Sequence, residues 1–208
     1  MFQKGFLKKI IFEKSFYFLN LIKFALILKL DKSNSMLFQG IKNKALAKRY
    51  DKLLASQHKN FNPNLSHGVK TIGIITDDLS FDIAPVVDEL SKLINVAKDS
   101  ISIVFYSNKE LGEKDFLYFT PKSLDWKGKI SSETVSQFIY YPFDILINYS
   151  KEDNKIVNMI VAMSKAKFKV GYDTVDNRLY QFMLTQSATN TQEFNKELVR
   201  YLKILKIL

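Results

Sequence analysis

FDILINYSKEDNKIVNMIVAMSKAKFKVGY, residues 143–172, decides the fold. Phe143 to Tyr149 is a short apolar run rich in β-formers. Ile156, Val157, Ile160, Val161 and Met163 follow at helical spacing, and Lys167 to Val170 reads as a second short strand, closed by Gly171. Strand, helix and strand in that order make a βαβ unit, the building block of a parallel sheet covered by helices.

The flanking segments extend the same alternation. Thr71 to Thr76 is a continuous apolar strand of the buried kind, and a helix from about Phe81 to Asn95 carries the stripe Ile83, Val86, Val87, Leu90, Leu93 and Ile94. Pro85 suits the first turn of that helix. Ser100 to Tyr106 reads as a second strand and Phe116 to Phe119 as a short third. Ser131 or Ser132 can cap a helix running to about Tyr140. After the opening unit, Tyr180 to Thr185 reads as a last strand and Thr191 to Leu208 as a closing helix with Leu198, Tyr201, Leu202 and Leu205 inward. The expectation is a single three-layer α/β domain, Rossmann-like in topology, with a mostly parallel sheet of five or six strands preceded by N-terminal helices.

The expected division of the chain is an apolar and basic extension over 1–35, a basic helix over 36–57, a linker over 58–69 and the α/β domain over 70–208. The extension is unusual: 29 of its 35 residues are Phe, Ile, Lys, Leu, Asn, Tyr or Ser. Its longest charge-free run, Ser15 to Ile22, is eight residues, against the roughly 20 that a spanning helix needs. No transmembrane segment is therefore expected. Three readings stay open: an upstream stretch with the biological start at Met36, a helix that caps the core or lies on a membrane surface, and an anchor. The expected location is the cytoplasm, with peripheral membrane association through 1–35 as the variant.

Charge follows the same division. Residues 1–60 hold 13 of the 31 Lys and Arg residues and three of the 21 acids, so the rest of the chain is balanced at 18 of each sign. The net charge of +10 is thus a property of the N-terminal quarter. In the 36–57 helix, Leu37, Ile41, Ala45, Leu46, Tyr50, Leu53 and Leu54 form an apolar stripe, with Lys42, Lys44, Lys48, Arg49 and Lys52 mostly off it. Those cations are either a solvated face or a contact for acidic surfaces or nucleic acid. The chain has no cysteine, which excludes disulfides, thiolate metal sites and cysteine nucleophiles, and its two histidines, His58 and His67, sit in the linker.

In an open parallel sheet, ligands bind outside the carboxyl ends of the strands, near the point where strand order reverses. That rule selects Asp77 and Asp78 after the first strand, Ser107 after the second, Asn148 and Ser150 after the strand of the opening unit, and Tyr172 after Gly171. The first strand runs into TDDLSFD, with neither the glycine fingerprint of dinucleotide sites nor a P-loop. Asp77 and Asp78 can hold Mg²⁺, act as an acid/base pair, or simply favour a helix N-terminus. No base lies near Ser107, Asn148 or Ser150 in sequence, so a hydrolase triad has no support. Lys165 and Lys167 read as cations complementing a helix end, and Trp126, Tyr140 and Tyr141 as packing and loop anchors. No catalytic residue, metal site or cofactor is expected.

KTIGIITDD (70–78), SIVFYSNKE (102–110), the 143–172 stretch and ELVRYLKILKIL (197–208) resemble a family of small Bacteroidota proteins known as a domain of unknown function, over about Met36 to Leu208. The resemblance implies an α/β domain after a short basic helix, in a cytoplasmic protein. More distantly, FDILINYS and AMSKAKFKVGY are similar to the acceptor-side half of heptosyltransferase-type glycosyltransferases. Those enzymes have two Rossmann-like domains and this chain has room for one, so the likeness implies a shared half-domain. Two functions follow as expectations: a non-catalytic module binding a protein partner or small polar ligand at the carboxyl edge, or an enzyme or enzyme remnant that takes a nucleotide-sugar-like ligand.

Overall fold

In the computed structural model, residues 44–56, 65, 68–125, 127–185 and 190–208 are described. Expectations placed on 1–35, Lys42, the two histidines and Trp126 lie outside them. The first described element is a helix, α1, over residues 44–56. Then come β1 (Ile72–Thr76), α2 (Ile83–Ile94), β2 (Ile101–Tyr106), β3 (Tyr118–Phe119), α3 (Glu133–Tyr140), β4 (Ile145–Asn148), α4 (Lys155–Met163), β5 (Phe168–Tyr172), β6 (Phe182–Leu184) and α5 (Thr191–Ile204). The six strands form one sheet in the order β3-β2-β1-β4-β5-β6, and every neighbouring pair is parallel. The sheet is thus wholly parallel where sequence pattern predicted mostly parallel. Its order is the one associated with dinucleotide-binding α/β folds.

Local chemistry explains the boundaries. All five residues of β1 are buried, as are all four of β4 and all five of β5. Such strands need helices on both faces, which is why they read as unbroken apolar runs. Helices α2 to α5 each start on a polar side chain that accepts from the first turn: Asp82 for α2, Ser132 for α3, Asn154 for α4 and Asn190 for α5. Helix α2 ends where Asn95 takes a left-handed conformation, φ 61°.

The two faces differ. On one, Ile72, Ile74, Ile147, Val170 and Tyr172 pack with Val86 and Leu90 of α2 and with Phe194, Leu198 and Leu202 of α5. The alternate positions, among them Ile75, Leu146, Asn148, Lys169 and Gly171, point to the opposite face. Helices α3 and α4 pack against each other there, with seven of the nine α4 residues buried.

Two readings of the sequence need correction. Gly171 lies inside β5, which runs on to Tyr172. Its role is close approach: a Cβ at Gly171 would lie 2.8 Å from Cε1 of Tyr180. Lys167 does not complement a helix end. Its ammonium donates to Asp144 Oδ1 at 2.7 Å, while Asp144 Oδ2 accepts the amides of Lys70 at 2.8 Å and Thr71 at 3.1 Å. Asp144 therefore ties the amino ends of β1, β4 and β5 together. Burial alone would raise its pKa, but Lys167 and the two amides outweigh it and hold the carboxyl below its usual value.

Residues 47–208 form one compact unit, so most of α1 belongs with the sheet. Tyr50 donates to Asp176 Oδ2 at 2.7 Å, Arg49 donates to the Lys127 carbonyl at 3.2 Å, and Leu54 is buried. Lys48 and Lys52 are exposed and Arg49 is half-buried. Among the described residues no helix is long and apolar enough to cross a membrane.

Candidate functional site

Strands β1 and β4 are neighbours, yet β1 leads into α2 on one face and β4 leads into α4 on the other. The chain leaves them in opposite directions, and a crevice opens at their carboxyl ends. A cleft of about 750 Å³ occupies that place, within the range of about 300–1,000 Å³ usual for small-molecule sites. Its walls are the end of β1, the first half of α2, the residues after β4, the end of β5 and the start of α5.

The floor is aromatic and hydrogen-bonded. Tyr149 and Tyr172 flank Phe194, with ring centroids 5.1 and 4.8 Å away. The Tyr149 hydroxyl donates to Asn195 Oδ1, and Asn195 Nδ2 donates to Glu89 Oε2 at 2.8 Å. Asn195 is wholly buried. Burial, with Tyr172 and Glu89 nearby, pushes the Tyr149 phenol well above its ordinary pKa, so this chain of hydrogen bonds keeps its proton. Phe81 closes one side, its ring 5.4 Å from that of Tyr149.

The rim is acidic. Asp77, Asp78, Asp82, Glu89 and Glu152 line the cleft, with Lys151 as the one cation among the lining residues described. None of these five carboxylates forms an ion pair among the described residues; the pairs there are Lys98–Asp88, Lys167–Asp144, Arg178–Asp176 and Arg200–Glu197. Several of the five have partial structural duties. Asp78 Oδ1 accepts the Ser80 amide at 2.9 Å and hydroxyl at 2.6 Å, and Asp82 Oδ1 accepts from Ala84 as helix cap. Asp77 is half-buried at the centre. Desolvation raises its pKa, and Glu152 and Asp78 add to the rise against the lowering effect of its own amide and of the Ser150 hydroxyl. Lys151 lies over the ring of Tyr172, its ammonium 5.9 Å from the centroid.

Of the six residues singled out from the sequence, Asp77, Asp78 and Tyr172 meet in the cleft. Ser150 sits between two lining residues; it is wholly buried, and its hydroxyl lies beside the Asp77 carboxylate without completing a well-formed hydrogen bond. Asn148 and Ser107 do not join them. Asn148 points to the other face, donating to the Tyr180 hydroxyl at 2.7 Å and accepting from the Ser150 amide at 3.1 Å. Ser107 folds its hydroxyl onto the Lys109 carbonyl at 2.6 Å. Sequence reasoning passed over Glu89 and the start of α5. Asp82, Pro85, Val86 and Glu89 recur at three- and four-residue steps, so the α2 face that reaches the cleft was readable. Asn190, Thr191 and Gln192 gave no comparable signal, because only the docking of α5 beside α2 brings them there.

No curated protein and no solved structure matches the chain. A family model does match, over residues 42–205. The chain belongs to that family, described as a family of unknown function (DUF6913).

Proposed function

We propose that this protein is a non-catalytic α/β module that binds a small polar ligand in the cleft between the carboxyl ends of β1 and β4. The observation that carries the proposal is the coincidence of a cavity of about 750 Å³ with the point where strand order reverses. The engagement of Ser107 and Asn148 in local hydrogen bonds supports a binding role over a hydrolytic one. In this reading the α/β domain over 70–208 acts in the cytoplasm, as in the small Bacteroidota proteins it resembles, and the basic helix is an accessory contact.

The second reading, an enzyme or enzyme remnant for a nucleotide-sugar-like ligand, draws on the strand order and on the half-domain resemblance. The charges oppose it, since a diphosphate placed among five carboxylates needs cations to bridge them. Gln192→Trp provides the test. Gln192 is exposed on the second residue of α5 and lines the mouth of the cleft. Thermal shift against nucleotides, nucleotide sugars with Mg²⁺, sugars, amino acids and amines should give at least one stabilising ligand whose effect the Trp variant removes. Ligands that stabilise both proteins equally would place binding elsewhere and end the proposal.

A further inference from the structure

We infer that the ligand of this cleft is an organic cation, a small molecule carrying ammonium or guanidinium groups on an apolar body. The inference rests on the reading of the cleft as a binding site and narrows the ligand class. Three observations carry it. The first is charge: five carboxylates face one lysine, and none is neutralised by an ion pair among the described residues. The excess is local, because the protein as a whole carries +10. Opposite charges inside a half-enclosed cleft attract more strongly than in bulk water, and like charges repel more strongly.

The second is the aromatic floor. Phe81 is half-exposed beneath the acidic rim, and the buried rings of Tyr149 and Tyr172 back it. The protein's own ammonium, on Lys151, already rests over the face of Tyr172. Lys151 is an exposed side chain free to swing into solvent, so a ligand cation can take its place at the ring. The third is independent of charge. The Ser150 hydroxyl is wholly buried beside the Asp77 carboxylate, which it helps to hold charged, but in its present orientation it completes no well-formed hydrogen bond. An N–H donor arriving at Asp77 gives that oxygen an acceptor's role and gives the carboxylate a counter-charge.

An inorganic ion fits less well. Among the described residues no three carboxylates are placed to ligate one metal. Dispersed carboxylates around an aromatic floor suit dispersed N–H donors joined by methylene groups.

Titration calorimetry at about 50 mM salt tests this with spermidine and agmatine as cationic probes and UDP-glucose with Mg²⁺ as the anionic one. The proteins are wild type, Gln192→Trp and the double variant Asp77→Asn/Glu152→Gln. Expected is saturable binding of at least one amine, weakened at least tenfold by the double variant and by Gln192→Trp, and weakened again at about 500 mM salt. Binding of UDP-glucose that Gln192→Trp blocks, with no amine binding, overturns the cation inference and leaves the cleft as the site. Amine binding untouched by Gln192→Trp and the double variant refutes both. No binding of any probe refutes the cation inference.

Discussion

Lys169 is the sharpest place to test the physical account of the fold. It is the second residue of β5 and only 3% exposed, on the sheet face covered by α3 and α4. Its backbone is fixed by Gln181, whose side-chain oxygen accepts the Lys169 amide at 2.7 Å. No carboxylate pairs with its ammonium among the described residues. Burial, with Lys165 adding repulsion, brings its pKa from 10.5 down to about 7. At about 1.4 kcal/mol per pH unit, that depression corresponds to roughly 4 kcal/mol of lost stability at neutral pH. The sign follows from proton counts. Below about pH 7 the lysine is charged in both states and the fold bears the full cost. Between about 7 and 10.5 the native state has released its proton while the unfolded chain keeps it, so stability rises with pH. Lys169→Met keeps the length and removes the charge. Urea unfolding of both proteins from about pH 6 to 9.5 should show wild-type stability climbing relative to the variant, with the variant ahead by about 2–4 kcal/mol at neutral pH and the gap closing as pH rises. Parallel pH profiles, or a variant weaker at neutral pH, would refute the reasoning.

Other consequences are as specific. Asp144→Ala removes the acceptor shared by Lys70, Thr71 and Lys167 and should cost about 3 kcal/mol in chemical denaturation. Lys167→Ala, whose side chain is 45% exposed, should cost about 1 kcal/mol or less. Gly171→Ala drives a methyl to 2.8 Å from the buried Tyr180 ring and should lower stability by about 1–3 kcal/mol, a loss that Tyr180→Leu in the same chain partly recovers. Asp176 is held at a pKa of about 2, first by its hydrogen bond from Arg178 and then by that from Tyr50. Its contribution is present above the ordinary carboxylate range and is lost as pH falls toward 2; acid unfolding of Asp176→Asn should lack that component.

How much of this was legible in the chain depends on where each signal lives. Strands such as Ile72–Thr76 and Ile145–Asn148 are buried on both faces. Their apolar runs therefore announced a parallel sheet, and cap residues such as Ser132 marked helix starts. Asp77 and Asp78 could be placed in the cleft because a strand end fixes its own loop. Asn148 could not, because a shift of one residue along a strand reverses the face to which a side chain points. Gly171 read as a terminator since nothing near it in sequence shows the Tyr180 ring against it. Glu89, Asn195 and Gln192 meet only through the packing of α2 on α5, a contact between segments about a hundred residues apart.

Ligand binding by this protein is placed in the cleft between β1 and β4. Amide chemical-shift mapping during titration of the ¹⁵N-labelled protein with spermidine and agmatine measures it directly. The account predicts saturable shifts concentrated at Asp77 to Ser80, Tyr149 to Glu152 and Asn190 to Gln192, the segments that line the cleft. Shifts centred on α1 or the edge strands instead, or no saturable shift with either amine, would contradict it.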